Sequence, residues 1–285
     1  MAENKQLAAL RDSALLLRKQ LLRTSLTGHV HLGGDLSSAD LMTALYQHTL
    51  HINPKNPGWP ERDRVVLSKG HGSAALYLAM ANAGYFDPES VIETYGRDKT
   101  KFGTHPCRRD CPELDVSSGS LGHGLPMSVG MALAAKLDGD THRVFCILGD
   151  GELGEGSNWE AMMAAHQYGL GNLVAIVDRN MLSLDGPTEC IMGIDPLDEK
   201  WAAFGWNVVC VDGNDMQALV ETLDALPPVS SRVPTVLIAK TVKGKGVSFM
   251  ENVPRYHSGS VTQQEYEQAC RELDAAREAQ REEKV

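Results

Sequence analysis

The sequence has no surplus of basic residues. Across its 285 residues, 27 Lys and Arg stand against 37 Asp and Glu, a formal net charge of −10. Such a chain is repelled by phosphate backbones and anionic headgroups, which excludes nucleic acid and membrane surfaces as its main partners. Long apolar runs are absent as well: none approaches the roughly 20 residues needed to cross a bilayer. The opening segment, Met1-Ala2-Glu3-Asn4-Lys5-Gln6, lacks the apolar core of a secretory signal. These absences predict a cytoplasmic protein. Cysteine is sparse, six residues scattered along the chain, so no disulfide framework is implied. Cys146 and Cys210 sit inside apolar strand-like runs, where a free thiol acts as a small hydrophobe. Only Cys107 and Cys111 lie close together, and a metal site there lacks two further ligands. Internal repeats and low-complexity segments are missing too. The segment Lys240-Thr241-Val242-Lys243-Gly244-Lys245-Gly246 faintly resembles a phosphate loop but lacks the order G-x-x-x-x-G-K-[ST].

What is present is an ordinary globular composition, 42% hydrophobic and 22% charged, with length enough for one large α/β domain or two small ones. Apolar runs at 65–67, 144–148, 173–177, 206–211 and 235–239 alternate with helical patterns at 73–83, 127–137, 159–168, 197–204 and 216–225. That alternation predicts an α/β fold: a doubly wound, mainly parallel sheet with helices on both faces. Leu7, Leu10, Ala14, Leu17 and Leu21 recur at helical spacing and predict a packing helix from about Glu3 to Thr24. Ser37 or Ser38 is placed to cap a helix over 39–50. After Thr262 the composition changes. Thr262 and Glu265 form a capping box ahead of a narrow stripe of Tyr266, Ala269, Cys270, Leu273 and Ala276, which predicts a docked or partner-facing helix with a frayed charged end. The expected organisation is one domain over 1–260 and a helical tail over 261–285.

The most informative stretch runs from Cys146 to Asp185. A strand ends at Gly149-Asp150-Gly151, a helix follows, and a second strand ends at Asn180. In parallel sheets ligands sit beyond the carboxyl ends of the strands, so Asp150 and Asn180 are expected to share one crevice. A carboxylate, an amide oxygen and the carbonyls of the next turn are hard donors, suited to Mg²⁺ or Ca²⁺. Mg²⁺ usually shares its shell with phosphate oxygens, and the glycines at 149, 151, 154 and 156 let backbone amides approach such a phosphate. A lone G-D-G is often only a turn; its pairing with Asn180 is what argues for a metal-diphosphate site. His29, His71, His105 and His257 all fall in loops at element ends, and a converging cluster of them would handle protons near neutral pH. Arg97, Arg108 and Arg109 are candidates for an anionic substrate, although solvent-facing arginines are the commoner case.

The pattern G-D-G, helix, D-x-N resembles the thiamine diphosphate motif, and the rest of the chain from about Leu26 to His257 resembles transketolase. T-G-H-V-H is similar to that family's S-G-H-P-G, L-S-K-G-H to L-S-N-G-H, G-T-H-P to P-G-H-P, and S-S-G-S-L-G-H-G to T-T-G-P-L-G-Q-G. The resemblance implies that Asp150, Asn180 and the carbonyl of Leu182 hold Mg²⁺, with Gly149 and Gly151 at the diphosphate. It implies main-chain cofactor contacts at Gly119, Ser120 and Leu121, His71 and His257 facing the diphosphate, and His29 and His105 facing the sugar. Catalytic proton handling would fall to His29, His105 and His257. Val30 and His31 depart from the family's first turn, and Cys-Arg-Arg-Asp-Cys stands where the family has an acidic residue after the proline. In the family a glutamate on a different domain engages the cofactor's pyrimidine ring, and no second α/β unit follows here. The resemblance therefore implies the N-terminal subunit of a split transketolase, active with a separate C-terminal subunit that supplies that glutamate. Glu155 matches a family glutamate at the dimer contact, so two copies of each chain, a heterotetramer, are expected. The implied reaction moves a two-carbon ketol unit from a ketose, expected to be phosphorylated, to an aldose through thiamine diphosphate. The alternatives are the alpha subunit of a 2-oxo acid dehydrogenase-type enzyme, a 1-deoxyxylulose-phosphate synthase-like activity, and a non-catalytic cofactor-binding scaffold.

Overall fold

The computed structural model describes residues 5–282. The expected helix start at Glu3, the rest of segment 1–4 and the final charged residues 283–285 lie outside the described residues. The apolar runs form five strands: β1 (Arg64–Leu67), β2 (Val144–Gly149), β3 (Leu173–Arg179), β4 (Asn207–Asp212) and β5 (Thr235–Lys240). They assemble in the order β1-β2-β3-β5-β4, and every pairing is parallel. Parallel strands need crossovers, and those crossovers place helices on both faces.

Strand periodicity divides the core in two. Phe145, Ile147, Val174, Ile176, Leu237 and Ala239 point to one face; Val144, Cys146, Leu148, Leu173, Ala175, Val177, Val236 and Ile238 point to the other. The first face is covered by α1 (Lys5–Thr24), the short α2 (Leu32–Ser37) and α3 (Ala39–Ala44), and α4 (Ser73–Asn82) and α5 (Pro88–Thr94). The second carries α6 (Gly124–Asp138) and α7 (Gly156–Gln167). A short turn of helix, α8 (Thr188–Ile191), and then α9 (Leu197–Ala203) follow on that side, with Leu197 and Trp201 buried. Met216, Leu219 and Leu223 of α10 (Met216–Asp224) return to the first face. The mixed-face expectation is thus met, with the sheet wholly parallel.

Local chemistry explains most boundaries. Gly139, at φ 79°, ends α6 in the left-handed conformation that a glycine adopts without strain. Asp215 caps α10 by accepting from the amides of Gln217 and Ala218. The helix expected over 39–50 is α3 running into a π-helical turn, Leu45–Thr49, with the short α2 ahead of it. Ser37 and Ser38 do not cap it: both hydroxyls donate back to the Gly34 carbonyl, and Ser37 also reaches Asp178. Cys146 is buried as expected, but Cys210 is exposed, because β4 is an edge strand.

The tail forms α11 (Gln263–Glu282). Its capping box is made: Glu265 Oε2 accepts from the Thr262 amide at 2.8 Å, and the Glu265 amide donates to Thr262 Oγ1 at 3.2 Å. Ala269 and Leu273 are buried, and Arg277 donates to Asp12 Oδ1 at 2.6 Å, which docks α11 on α1. Among the described residues no helix is long and apolar enough to cross a membrane.

Candidate active site

Parallel register decides which side chains meet. Gly149 pairs with Asp178, so Asp150 and Asn180 leave adjacent strands at the same edge, and both are buried. Asp150 Oδ1 accepts from the Gly151 amide at 2.8 Å; Oδ2 accepts from the Met181 amide at 2.7 Å and from Arg179 Nη1 at 3.2 Å. Asn180 Nδ2 donates to Asp178 Oδ2 at 3.1 Å, which leaves Oδ1 to accept from the Leu182 amide at 3.2 Å. Burial, and then the Asp178 charge, push the Asp150 carboxyl above its ordinary pKa. A second positive charge beside Asp150 would relieve that strain.

The same edge collects two lysines. Asp178, fully buried, accepts from Lys69 Nζ at 2.6 Å and Ser37 Oγ at 2.7 Å on one oxygen and from Thr241 on the other. Burial alone would raise its pKa, but the Lys69 ammonium and these donors hold it below the usual carboxylate range. Lys243 Nζ donates to the Leu182 carbonyl at 2.7 Å and meets His257 Nδ1 at 2.9 Å. Burial brings Lys243 down to about 8, against the pull of the Asp150 carboxylate. A carbonyl has two lone pairs, so Leu182 retains one beside the ammonium.

Four histidine rings surround a fifth. The His31 ring lies 5.2 Å from His71, 5.7 Å from His257, 6.2 Å from His105 and 6.1 Å from His29, centroid to centroid. His71 and His257 are 5.6 Å apart. His29 and His105 sit exposed at the rim, while His31, the departure in the first turn, occupies the middle. His31 Nδ1 is buried without a hydrogen-bond partner, as a polar atom awaiting a ligand or water would be. Burial, followed by the neighbouring His105, His29 and Lys243, lowers His31 to about 4; burial and Lys243 lower His257 to about 4, and burial depresses His71 further.

Residues 17–280 match the family described as transketolase, thiamine diphosphate binding domain. The chain belongs to that family. It is 45% identical over 243 residues to an apulose-4-phosphate transketolase subunit of Actinobacillus succinogenes, covering 85% of this chain and 87% of that one. It is 40% identical over 266 residues to the 6-deoxy-6-sulfo-D-fructose transketolase subunit SqwG of a Clostridium species, covering 93% and 96%. The transketolase structure from Campylobacter jejuni superposes with a TM-score of 0.84 at 28% identity, over 95% of this chain and 43% of that one. The chain thus spans less than half the length of that transketolase.

Around this transketolase-family crevice, the glycine-rich turn 117–124 packs against the turn 68–72. A Cβ on Gly70 would lie 2.9 Å from the Gly119 nitrogen, and one on Gly124 would lie 2.3 Å from Ser68 Cβ, so both positions need glycine for close approach. Gly119, Ser120 and Leu121 are exposed, and Gly119 faces the His105 ring. Glu152, buried, ties the two turns together by accepting from the Gly149 amide at 3.0 Å and the Gly122 amide at 3.2 Å, as well as from Ser68. Gly151 and Glu155 are exposed beside it. Lys69, Asp178, Lys243, Arg179, Glu152 and His31 were not singled out as site residues from sequence. The available signal was charge at strand ends: a Lys, an Asp or an Arg directly after a buried apolar run has to find a partner there. Arg97 is exposed; Arg108 donates to the Leu114 carbonyl at 3.1 Å, and Arg109 pairs with Asp110 at the surface. Cys111 donates its amide to the Cys107 carbonyl at 2.9 Å and its thiol to Glu113 at 3.4 Å.

The buried imidazoles predict acid lability. In the unfolded chain they titrate near 6.5, whereas folded His31 and His257 do so at about 4, so the unfolded state binds more protons in between. Their contribution is intact above about pH 6.5 and is lost as pH falls towards 4. We expect a lower unfolding temperature at pH 5 than at pH 7.5, and a shallower slope in His31→Gln, which cannot titrate. Thermal unfolding followed by circular dichroism checks both; a flat profile contradicts them.

Proposed function

We propose that this chain is the diphosphate-binding subunit of a two-chain transketolase, with residues 1–260 as the cofactor domain and 261–285 as a docked tail. A separate C-terminal subunit would complete the site and supply the glutamate for the pyrimidine ring, two copies of each chain assembling about Glu155. The observation that carries this reading is the convergence of Asp150, Asn180 and the His31-centred cluster at one sheet edge. All six cysteines are free thiols, in keeping with a reducing, cytoplasmic setting.

The residues suit a divalent ion and a diphosphate. Asp150 Oδ1 after β2, and Asn180 Oδ1 and the Leu182 carbonyl after β3, are hard oxygens at one sheet edge, each with one hydrogen-bond donor and a further lone pair. Mg²⁺ is the ion preferred here, Ca²⁺ being compatible with the same donors. Gly151 and the exposed strip of Gly119, Ser120 and Leu121 would offer main-chain contacts, and Lys243, His71 and His257 would line the diphosphate. Thiamine diphosphate, when bound, supplies the carbanion chemistry of two-carbon transfer. The chain's own part is to hold, orient and exchange protons. His31, His105 and His257 are placed to exchange protons with sugar hydroxyls, and the lowered pKa of His31 and His257 keeps both neutral, able to accept as well as donate, near pH 7. The relatives are named for a phosphorylated and a sulfonated sugar, which supports an anionic ketose as donor.

The test is transfer of glycolaldehyde from ketoses with phosphate, sulfonate or neutral ends by the purified two-chain complex. Turnover by this polypeptide unaided, or cofactor binding by the complex without transfer from any ketose, contradicts the reading. Within it, His31→Ala is expected to lower kcat by roughly a hundredfold or more, the scale of a proton-transfer residue. His29→Ala at the exposed rim should cost well under that. Equal losses would return His29 to the inner site.

A further inference from the structure

The sheet has a second end. At the edge where β1 and β2 begin, opposite the one that carries Asp150, a cavity of about 410 Å³ opens between the loop 140–143, the π-helical turn Leu45–Thr49 and the end of α10. That volume falls in the range of small-ligand sites. The walls are tied together. Asp63 accepts from the His51 amide at 2.9 Å on one oxygen and from the Arg143 amide at 2.8 Å on the other. His48 Nε2 meets Asp224 Oδ1 at 2.8 Å, and the Arg143 guanidinium donates to the Pro227 carbonyl at 2.6 Å. The His51 ring stands edge-on to Trp59, 4.5 Å between centroids.

Two lining atoms are left over. His142 is 8% exposed and its Nδ1 is buried without a hydrogen-bond partner; Asp140 Oδ2, at 3.7 Å, is too distant to serve. Thr49 Oγ1 is likewise buried and unpartnered. Folded proteins rarely orphan such groups, and here both belong to residues that line one cavity. Thr49 also closes a π-helical turn, a geometry found disproportionately at functional sites. A ligand hydroxyl can donate one hydrogen and accept two, so it can satisfy the Thr49 hydroxyl and either tautomer of His142.

Charge narrows the choice further. Glu61, Asp63 and Asp224 line the cavity against Arg143, whose guanidinium is turned to Pro227, and this balance repels a phosphate or sulfonate. Burial, and then Arg64, lower the pKa of His142, so its ring is neutral near pH 7 and supplies no countercharge. Histidines and carboxylates crowd here, yet among the described residues no three of them are gathered as metal ligands. An ammonium ion has hydrogens only to give and would leave the Thr49 hydrogen unanswered. Two of the three carboxylates are also already engaged, Asp63 by two amides and Asp224 by His48. We propose that this cavity binds an uncharged polyol or free sugar, whose hydroxyls pair with His142 Nδ1 and Thr49 Oγ1 while its carbon face lies on Leu226 and Val229. The inference goes beyond the transfer reaction and does not depend on the two-chain reading.

The test is ligand-observed saturation-transfer NMR on the full-length chain, titrated with ribitol, D-ribose, ribose 5-phosphate and putrescine. Binding at this cavity is read as the part of the signal that Thr49→Val/His142→Phe removes. We expect that part for ribitol and ribose, with affinity falling about threefold in Thr49→Val and about tenfold in the double variant, the scale of one and two net hydrogen bonds. Thr49→Ser, which keeps the hydroxyl, should bind as the wild type does, and so should His31→Ala in the other crevice. Unchanged unfolding temperatures exclude misfolding as the cause; if His142→Phe unfolds, the comparison of Thr49→Val with Thr49→Ser carries the test alone. A crystal grown with ribitol should show its hydroxyls on Thr49 and His142. Sugar binding that the variants leave intact, no binding of ribitol or ribose, or ordered water alone on both atoms overturns the inference. So does a variant-sensitive signal from ribose 5-phosphate as strong as that from ribose, or one from putrescine in place of the sugars.

Discussion

Asp150→Ala is expected to weaken thiamine diphosphate binding in the presence of Mg²⁺ by several hundredfold or more. The side chain is buried, and both oxygens are committed in a way that fixes its direction: Gly151 on one, Met181 and Arg179 on the other. Removing it takes away the one carboxylate in the proposed ligand set and leaves a divalent ion opposite Asn180 and a carbonyl alone. Breaking a buried charge partnership costs roughly 3–5 kcal/mol, and about 1.4 kcal/mol is a factor of ten in affinity. The fold should survive, because Arg179 keeps Glu189 and Asp195 as partners. Calorimetric titration with cofactor and metal, beside a thermal melt, separates the two effects. Asp150→Asn, which keeps the acceptor geometry and loses the charge, should fall between wild type and Ala. Tight, metal-dependent binding by the alanine variant would remove Asp150 from the ligand set.

How much of this was legible in the sequence follows from which forces are local. The alternation of apolar runs with helical stretches reports burial period, and burial period decides strand, helix and face; the two-sided sheet could therefore be read directly. Gly149, Asp150 and Asn180 could be read because turn chemistry at strand ends is local, and parallel register then carries both side chains to one edge. The partners of those residues could not. Lys69 and Asp178 are 109 positions apart, and Lys243 and Leu182 are 61 apart, so only the closed sheet brings them together. Local sequence also left out one residue of the first histidine turn. In sequence His29 stands out as the functional residue of that turn, yet helix α2 begins at Leu32, and it is His31, the residue just before that helix, that is turned into the crevice. Ser37 looked like a cap and instead serves Asp178, a demand made from across the sheet.

That buried pair carries the other large expected effect. Lys69→Met should destabilise the protein by roughly 3–5 kcal/mol, because it strands the Asp178 carboxylate in a fully buried site with only Ser37, Thr241 and Asn180 as donors. Asp178→Leu should cost as much by stranding the ammonium, whose other acceptor is the Gly34 carbonyl. A buried ion pair replaced on both sides by apolar groups is often neutral, so the double variant Lys69→Met/Asp178→Leu should recover most of that loss, less about 1–2 kcal/mol for the Thr241 hydroxyl left without Asp178, Ser37 keeping the Gly34 carbonyl. Urea unfolding of the four proteins in a double-mutant cycle measures this. Cofactor affinity should not recover with stability. Asp178 Oδ2 is what takes the Asn180 amide hydrogens and so keeps the Asn180 oxygen towards the 181–183 turn; leucine there frees the amide to rotate. A double variant that is stable and weakly binding would mean the pair is kept for the orientation of Asn180 rather than for the fold, whereas full affinity would reduce Asp178 to packing.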